Sequence, residues 1–131
     1  MSGMALEQAN GAALAVLVVE DEALIRMLLV DAIEDAGFKV VEANGADAAI
    51  AAFARRQDIG AVVTDVRMPG SMDGMELAGW MREHEPGVPV IICSGMDTRV
   101  DLKVVNPAIV RIISKPYMPS EIARLVATLI F

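Results

Sequence analysis

The chain has 131 residues, of which 55% are hydrophobic and 22% are charged, and its formal net charge is −7 at pH 7. This length and hydrophobic content favour one folded domain with a core of its own, and they argue against a disordered chain. The negative charge argues against direct nucleic-acid binding, which requires Lys and Arg side chains to displace counterions from phosphates.

The chain shows no signal for a membrane or for secretion. No apolar run reaches the roughly 18 residues that a membrane-spanning helix needs. Residues 1–13 include Glu7 and no basic residue, so we expect a flexible N-terminal tail rather than a secretory signal, followed by one domain over 14–131. The single cysteine, Cys93, is typical of a protein from the reducing cytoplasm, which is the predicted location.

The first half of the chain alternates strand and helix patterns. A buried run at 15–20 predicts the first strand, and residues 22–36 predict a helix that ends at Gly37. A second strand is expected at 38–42, and the spacing of apolar residues predicts a helix at 46–56.

The second half continues this alternation. Its predicted strands are 61–65, 89–93 and 109–113, and its predicted helices are 74–85, 98–105 and 119–130. The helix at 98–105 is expected to be short or irregular, because Asn106 and Pro107 end it early. Five strands interleaved with five helices predict an α/β fold, a doubly wound parallel sheet with the flavodoxin-like strand order 2-1-3-4-5.

Four of the predicted strands run into polar residues. Glu20 and Asp21 follow the first strand, Asp65 ends the third, Ser94 follows the fourth, and Lys115 lies just beyond the fifth. Ligands of open parallel sheets bind beyond the carboxyl ends of the strands, so these side chains should meet at one edge. Three carboxylates, a hydroxyl and an ammonium group suit a Mg²⁺-assisted transfer of a phosphoryl group onto an aspartate.

Four sequence stretches carry a family resemblance: VLVVEDE, VVTDVRMPGSMDGMEL, VPVIICSG and IISKPY, in that order. Over residues 14–131 the chain resembles the receiver domains of bacterial two-component response regulators, and it is similar to the single-domain chemotaxis type. The resemblance implies that Asp65 accepts a phosphoryl group from a phosphohistidine. It implies a signalling switch that catalyses its own phosphorylation and dephosphorylation, rather than an enzyme that acts on a separate substrate.

The resemblance also assigns roles to the residues around Asp65. It implies that Mg²⁺ is the cofactor, held by Glu20, Asp21, Asp65 and the backbone carbonyl of Arg67. Ser94 takes the place of the family's phosphate-binding hydroxyl, and Lys115 takes that of its phosphate-pairing lysine. The family often has a cis peptide bond at the next proline, which makes the Lys115–Pro116 bond a candidate for the cis form.

Two features depart from the family pattern. Ile112 stands three positions before the lysine, where the family usually has an aromatic residue that rotates on activation. The output must therefore be coupled by another route, for which the loop around Gly95 and Met96 is our candidate. The loop after Asp65 also has an extra residue, GSMDG where GMDG is commoner.

The first helix suggests where a partner binds. Ile25, Leu28, Leu29 and Ala32 are expected to face the sheet, which leaves Leu24 and Met27 exposed beside the site. Exposed apolar residues near a charged pocket suggest docking of a partner helix. By the resemblance this partner is a histidine kinase or a histidine phosphotransfer protein. A downstream protein would bind the face formed by the fourth helix, the fifth strand and the last helix, because we expect no attached output domain.

Three other functions remain possible at this stage. An aspartyl-phosphate phosphatase would have a second Asp two residues after the first, where this chain has Arg67. A receiver-like binding module that is never phosphorylated would keep the same fold. A phosphate shuttle in a multistep relay would use the same site as a terminal regulator. His84 is expected to be solvated between Glu83 and Glu85 rather than to carry a phosphoryl group.

Overall fold

A computed structural model describes residues 14–68, 70, 72–95 and 109–130. Strands and helices alternate along the described chain as far as β4, and the full order is β1 Ala15–Val19, α1 Ala23–Asp35, β2 Lys39–Ala43, α2 Ala46–Arg55, β3 Ile59–Asp65, α3 Gly74–His84, β4 Val90–Ser94, β5 Val110–Ser114 and α4 Pro119–Ile130. These nine elements confirm the predicted ones, although β3 begins earlier than the sequence pattern indicated. The predicted tail at 1–13 and the predicted helix at 98–105 lie outside the described residues.

The five strands form one parallel sheet in the order β2-β1-β3-β4-β5. This is the predicted flavodoxin-like order. The register pairs Asp65 with Cys93 across β3 and β4, and Ser94 with Ser114 across β4 and β5. Because all the strands run the same way, their carboxyl ends lie at one edge of the sheet. The polar residues predicted to converge are therefore placed at that edge.

Both faces of the sheet are covered by helices. The residues of β1 are all buried, as expected for a central parallel strand whose sequence is a continuous apolar run. α2 and α3 pack on the face that includes Leu17, Val62 and Ile92. α1 and α4 pack on the opposite face, around Val63 and Ile91. Two layers of helices thus hold the strand ends in fixed positions.

The rotation of α1 about its axis differs from the prediction at one residue. Leu29 and Ile33 are buried and Ile25 is partly buried, which forms a stripe with a spacing of four residues. Leu28 was expected to face the sheet, but it is 49% exposed. One residue along a helix corresponds to a rotation of about 100°. Leu28 therefore lies beside the buried stripe, on the same outer side as Leu24.

Two local features set the ends of two helices, that of α1 away from the site and that of α3 beside Asp65. Gly37 ends α1 with φ of 100°, in the left-handed region that favours glycine. A capping box begins α3, in which Asp73 accepts a hydrogen bond from the Glu76 backbone and the Glu76 side chain accepts one from the Asp73 backbone.

Across the portion of the chain that the structure describes, no helix combines the length and the apolar character needed to cross a membrane.

Candidate functional site

An ion pair between β3 and β5 occupies the centre of the site. Nζ of Lys115 donates a hydrogen bond to Oδ2 of Asp65 at 2.7 Å, although the two residues are 50 positions apart in sequence. Burial alone would lower the pKa of Lys115, but the hydrogen bond and negative charge of Asp65 outweigh it and raise this pKa. The lysine is therefore an ammonium group at neutral pH, and it faces a carboxylate that is 11% exposed.

Glu20 lies at the end of β1 and is 2% exposed. Its backbone N–H donates to the carbonyl of Ala43 at 3.0 Å, and its Oε2 accepts a hydrogen bond from the Glu22 backbone at 2.9 Å. Burial is the main cause that raises the pKa of Glu20, and together with the nearby Asp65 and Asp21 carboxylates it brings this pKa to about 7 against the opposing effect of the Glu22 hydrogen bond. The site therefore concentrates more negative charge than one ammonium group balances.

This set of oxygen donors fits a hard divalent cation. The Asp, Glu, His and Cys side chains of the described residues do not form a cluster of three with the spacing of metal ligands. Mg²⁺ does not need such a cluster, because it keeps several of its waters and takes few protein ligands. Glu20 and Asp65 interact electrostatically across the site, and Asp21 adjoins Glu20 in sequence. Arg67, the residue whose backbone carbonyl is the fourth predicted ligand, lies two positions after Asp65 and has an exposed side chain. A cation would relieve the repulsion among these acids.

Ser94 lies at the end of β4, next to the lysine. Its side chain is almost fully buried, and its Oγ donates to the carbonyl of Gly95 at 3.1 Å. The backbone carbonyl of Ser94 accepts a hydrogen bond from the Lys115 N–H at 2.8 Å. The hydroxyl and the ammonium group are thus carried by adjacent strand ends that share a backbone hydrogen bond.

The sequence patterns did not single out two residues that hold the Asp65 backbone. Gly74, the first residue of α3, packs so closely on the Asp65 backbone that an added Cβ would overlap the Asp65 carbonyl oxygen. The Gly74 N–H donates a hydrogen bond to the backbone carbonyl of Val66 at 2.8 Å. Thr64 donates from its hydroxyl to the same Asp65 carbonyl at 2.9 Å. The sequence did contain one sign of the Gly74 contact. The first position of a helix does not require glycine, so a glycine there indicates a close approach to another part of the chain.

An apolar surface adjoins the charged site. Leu24 and Met27 are 65% and 51% exposed, which confirms that they lie on the outer face of α1. A cavity of about 450 Å³ opens on an adjacent side of α1, lined by residues that include Ile25, Leu28 and Tyr117. Lys115 lines the same cavity, so the apolar surface extends to the ion pair.

Two expectations for residues near the ends of β4 and β5 agree with the structure, those for Cys93 and for the bond before Pro116. Cys93 is buried, which raises its pKa to about 12. The Lys115–Pro116 peptide bond is cis. Ile112, which stands where the family usually has an aromatic residue, is 40% exposed.

His84 lies on the exposed end of α3, away from the strand ends. Its ring stacks on Trp80 with centroids 4.6 Å apart, and its Nδ1 lies 2.9 Å from the Trp80 carbonyl. The solvated position that was expected for this histidine is confirmed.

Comparison with known proteins shows which domains this chain is similar to. Residues 16–127 match the family model of the response regulator receiver domain. The chemotaxis protein CheY of Thermotoga maritima is 31% identical over 110 residues, which cover 82% of this chain and 89% of that protein. The receiver domain of NtrX from Brucella abortus has a TM-score of 0.74 and 30% identity, covering 86% of this chain and 94% of that one.

Several relatives are longer than this chain. The probable transcriptional regulatory protein TcrX of Mycobacterium tuberculosis is 34% identical over 96 residues, which cover 73% of this chain. The alignment spans 40% of TcrX, and the match to the response regulator FleR of Pseudomonas aeruginosa spans 16% of that protein.

Proposed function

The chain belongs to the response regulator receiver domain family, and on that basis we propose that it is a phosphoacceptor switch of two-component signalling. In this proposal Asp65 accepts the phosphoryl group from a phosphohistidine of a partner protein. The observation that carries the proposal is the ion pair of Asp65 with Lys115 at the carboxyl ends of the strands, beside the buried Glu20. This arrangement combines a nucleophile, a cationic partner and an unbalanced negative charge.

The transfer exchanges one bond for another. A carboxylate oxygen of Asp65 forms a bond to phosphorus while the bond between phosphorus and the donor imidazole nitrogen breaks, and the imidazole leaves with the electron pair. Lys115 already occupies Oδ2, so the other carboxylate oxygen is the nucleophile in our proposal. Glu20, Asp21, Asp65 and the Arg67 carbonyl would hold Mg²⁺, which, when bound, offsets the repulsion between carboxylate and phosphoryl group.

Ser94 and Lys115 would respond to the new charge. The Ser94 hydroxyl donates to the Gly95 carbonyl before transfer, and rotation about its side chain would allow it to donate to a phosphoryl oxygen instead. Lys115 would pair with another phosphoryl oxygen. Phosphorylation then acts through the difference in stability between two states, where a tenfold change in population requires about 1.4 kcal/mol.

We propose that the outer face of α1 docks the phosphodonor, a histidine kinase or a histidine phosphotransfer protein. Leu24, Met27 and Leu28 form an exposed apolar surface that continues into the cavity beside Lys115. A helix that carries the phosphohistidine could bury this surface and bring its imidazole to Asp65. A downstream protein would bind a second face that includes β5 and α4.

The docking proposal is tested with two phosphodonors. Replacing Leu24 and Met27 with Ser should slow transfer from the cognate donor and leave labelling by acetyl phosphate unchanged. The variant Ile112→Ser serves as a control, because Ile112 is 40% exposed but lies on β5, outside α1 and outside the lining of this cavity. An equal loss with both donors would show that the substitutions damage the site rather than the docking surface.

The phosphoacceptor proposal is tested by intact-mass spectrometry after incubation with acetyl phosphate. Wild-type protein should gain the mass of one phosphoryl group in the presence of Mg²⁺ and none in the presence of EDTA. Asp65→Asn should gain none under either condition. If Asp65→Asn were labelled like the wild type, another residue would be the acceptor and the proposal would be wrong.

One observation favours a second role as a phosphate shuttle in a multistep relay. A shuttle uses the same site but needs no rotating aromatic residue to drive an output, and Ile112 occupies the aromatic position here. Phosphorylated protein mixed with candidate histidine phosphotransfer proteins should then lose its phosphoryl group to one of them. Loss only to water would leave the terminal regulator as the role.

A further inference from the structure

Arg26 connects three elements next to the acidic pair that follows β1. Its Nη1 donates to the backbone carbonyl of Glu20 at 2.6 Å, and its Nε donates to Oε1 of Glu42 at 3.0 Å. Arg26 belongs to α1 and Glu42 to β2, while Glu20 follows β1. The Arg26 side chain is 21% exposed, so its guanidinium group is held within the structure rather than extended into solvent.

These contacts fix the peptide that precedes Asp21. The Glu20 N–H is held by the Ala43 carbonyl, and the Glu20 carbonyl is held by Arg26. The side chain of Glu20 is held separately by the backbone N–H of Glu22. The Glu20 carbonyl belongs to the planar peptide unit that joins Glu20 to Asp21, so holding it also limits the position of the Asp21 Cα, from which the side chain leaves the backbone.

The arginine fork suits this position better than a lysine would. A guanidinium group is planar and donates in several fixed directions, whereas an ammonium group is a compact point charge on a flexible stem. Arg26 uses two of its nitrogens on two different acceptors. The pair with Glu42 is half exposed, and such pairs add little stability, so in our account Glu42 mainly orients the guanidinium group.

We propose that Arg26 is a positioning residue for the cation site, which it serves by holding the Glu20–Asp21 peptide in the orientation that the bound cation requires. The inference rests on the proposed function, because it assumes that Glu20 and Asp21 are cation ligands. Partners behind metal ligands commonly change metal affinity by about 10- to 100-fold when they are removed. Arg26 acts through the backbone of the ligands and does not touch the cation itself.

The test is the Mg²⁺ affinity of Arg26→Gln, measured by isothermal titration calorimetry well below the unfolding temperature. We expect its Kd for Mg²⁺ to rise about tenfold relative to wild type. Arg124→Gln is the matched control, since Arg124 is an exposed arginine on α4, and its Kd should equal that of wild type. Glu42→Gln should change the Kd little, because the amide oxygen of glutamine can still accept the bond from Arg26 Nε and so keep the guanidinium group oriented towards Glu20.

A merely structural role predicts a different pattern. Arg26→Gln would then lower the unfolding midpoint in EDTA but leave the Mg²⁺ affinity of the folded protein unchanged, and this result would overturn the inference while the proposed function stands. If wild-type protein does not bind Mg²⁺, both fail. Should Arg26→Gln not fold, Arg26→Lys decides the question: a raised Kd supports the inference, and a wild-type Kd overturns it.

Discussion

The contact between Gly74 and the Asp65 backbone predicts that Gly74→Ala both destabilises the protein and disturbs the site. A Cβ at position 74 would overlap the carbonyl oxygen of Asp65 and crowd the Cα of Val66, and both of these are backbone atoms that cannot rotate away. Either the end of β3 or the start of α3 must therefore move. The movement would displace the residue that we propose as phosphoacceptor.

The size of the effect follows from two opposing contributions. Overpacking in a fixed environment costs about 1–3 kcal/mol. From the middle of that range, about 2 kcal/mol, replacing glycine with alanine in a helix recovers at most about 1 kcal/mol. The net loss in the free energy of unfolding should therefore be about 1–2 kcal/mol. For a chain of this size the melting temperature should fall by about 3–10 °C. Displacing a reacting group by about 1 Å can reduce the rate about 100-fold, so labelling by acetyl phosphate should also slow.

Two other glycines provide matched controls for this experiment. Gly87 has open space around its Cβ direction, so Gly87→Ala should leave the melting temperature unchanged or slightly raised and the labelling rate unchanged. Gly37 also has open space but has φ of +100°, so Gly37→Ala should cost about 1–2 kcal/mol through backbone strain without slowing the labelling. Thermal unfolding and phosphorylation rates of all three variants check this. If Gly74→Ala had the same melting temperature and the same labelling rate as Gly87→Ala, the contact between Gly74 and the Asp65 backbone would not constrain the site, and the prediction would be refuted.

Three further predictions concern charges and the thiol. Lys115→Gln should tighten Mg²⁺ binding by up to about tenfold, because it removes an ammonium group that competes for the Asp65 carboxylate; calorimetry that shows weaker binding would contradict this. The hydrogen bond from Arg56 holds the pKa of Asp58 well below its usual range, so this pair stabilises the folded state above the unfolded pKa of about 4 and loses that contribution at lower pH. Urea unfolding should accordingly show a stability difference between wild type and Asp58→Asn that shrinks as the pH falls below about 4, and a constant difference would refute it. Cys93 is buried with a raised pKa, so Ellman's reagent should label the native protein far more slowly than the unfolded protein, and equal rates would contradict the burial.

The placement of the site was predictable from the sequence because topology alone determines it. Parallel strands place their carboxyl ends at one edge, so the polar residues after each apolar run had to meet there whatever the details of packing. The pair of Asp65 and Lys115 is the clearest case, since only the sheet order brings them together. The buried position of Cys93 followed in the same way from strand alternation.

The details that failed depend on rotations and close approaches that periodicity does not encode. Leu28 was wrongly expected to face the sheet. The sequence shows a buried stripe with a four-residue spacing, but whether the residues next to that stripe are buried or exposed depends on the surface that the helix packs against. The packing of Gly74 against Asp65 is a contact between backbones, which no side-chain pattern records. The reach of Arg26 to Glu20 and Glu42 depends on how α1 sits over β1 and β2.

The chemical identity of the phosphorylated residue is the most direct test of this account. Protein treated with acetyl phosphate and Mg²⁺ would be reduced with borohydride, which converts an aspartyl phosphate to homoserine, and then mapped by peptide mass spectrometry. We predict homoserine at position 65 and unmodified Asp21 and His84. Modification of Asp21 or of His84, with position 65 unchanged, would contradict the assignment of Asp65 as the phosphoacceptor.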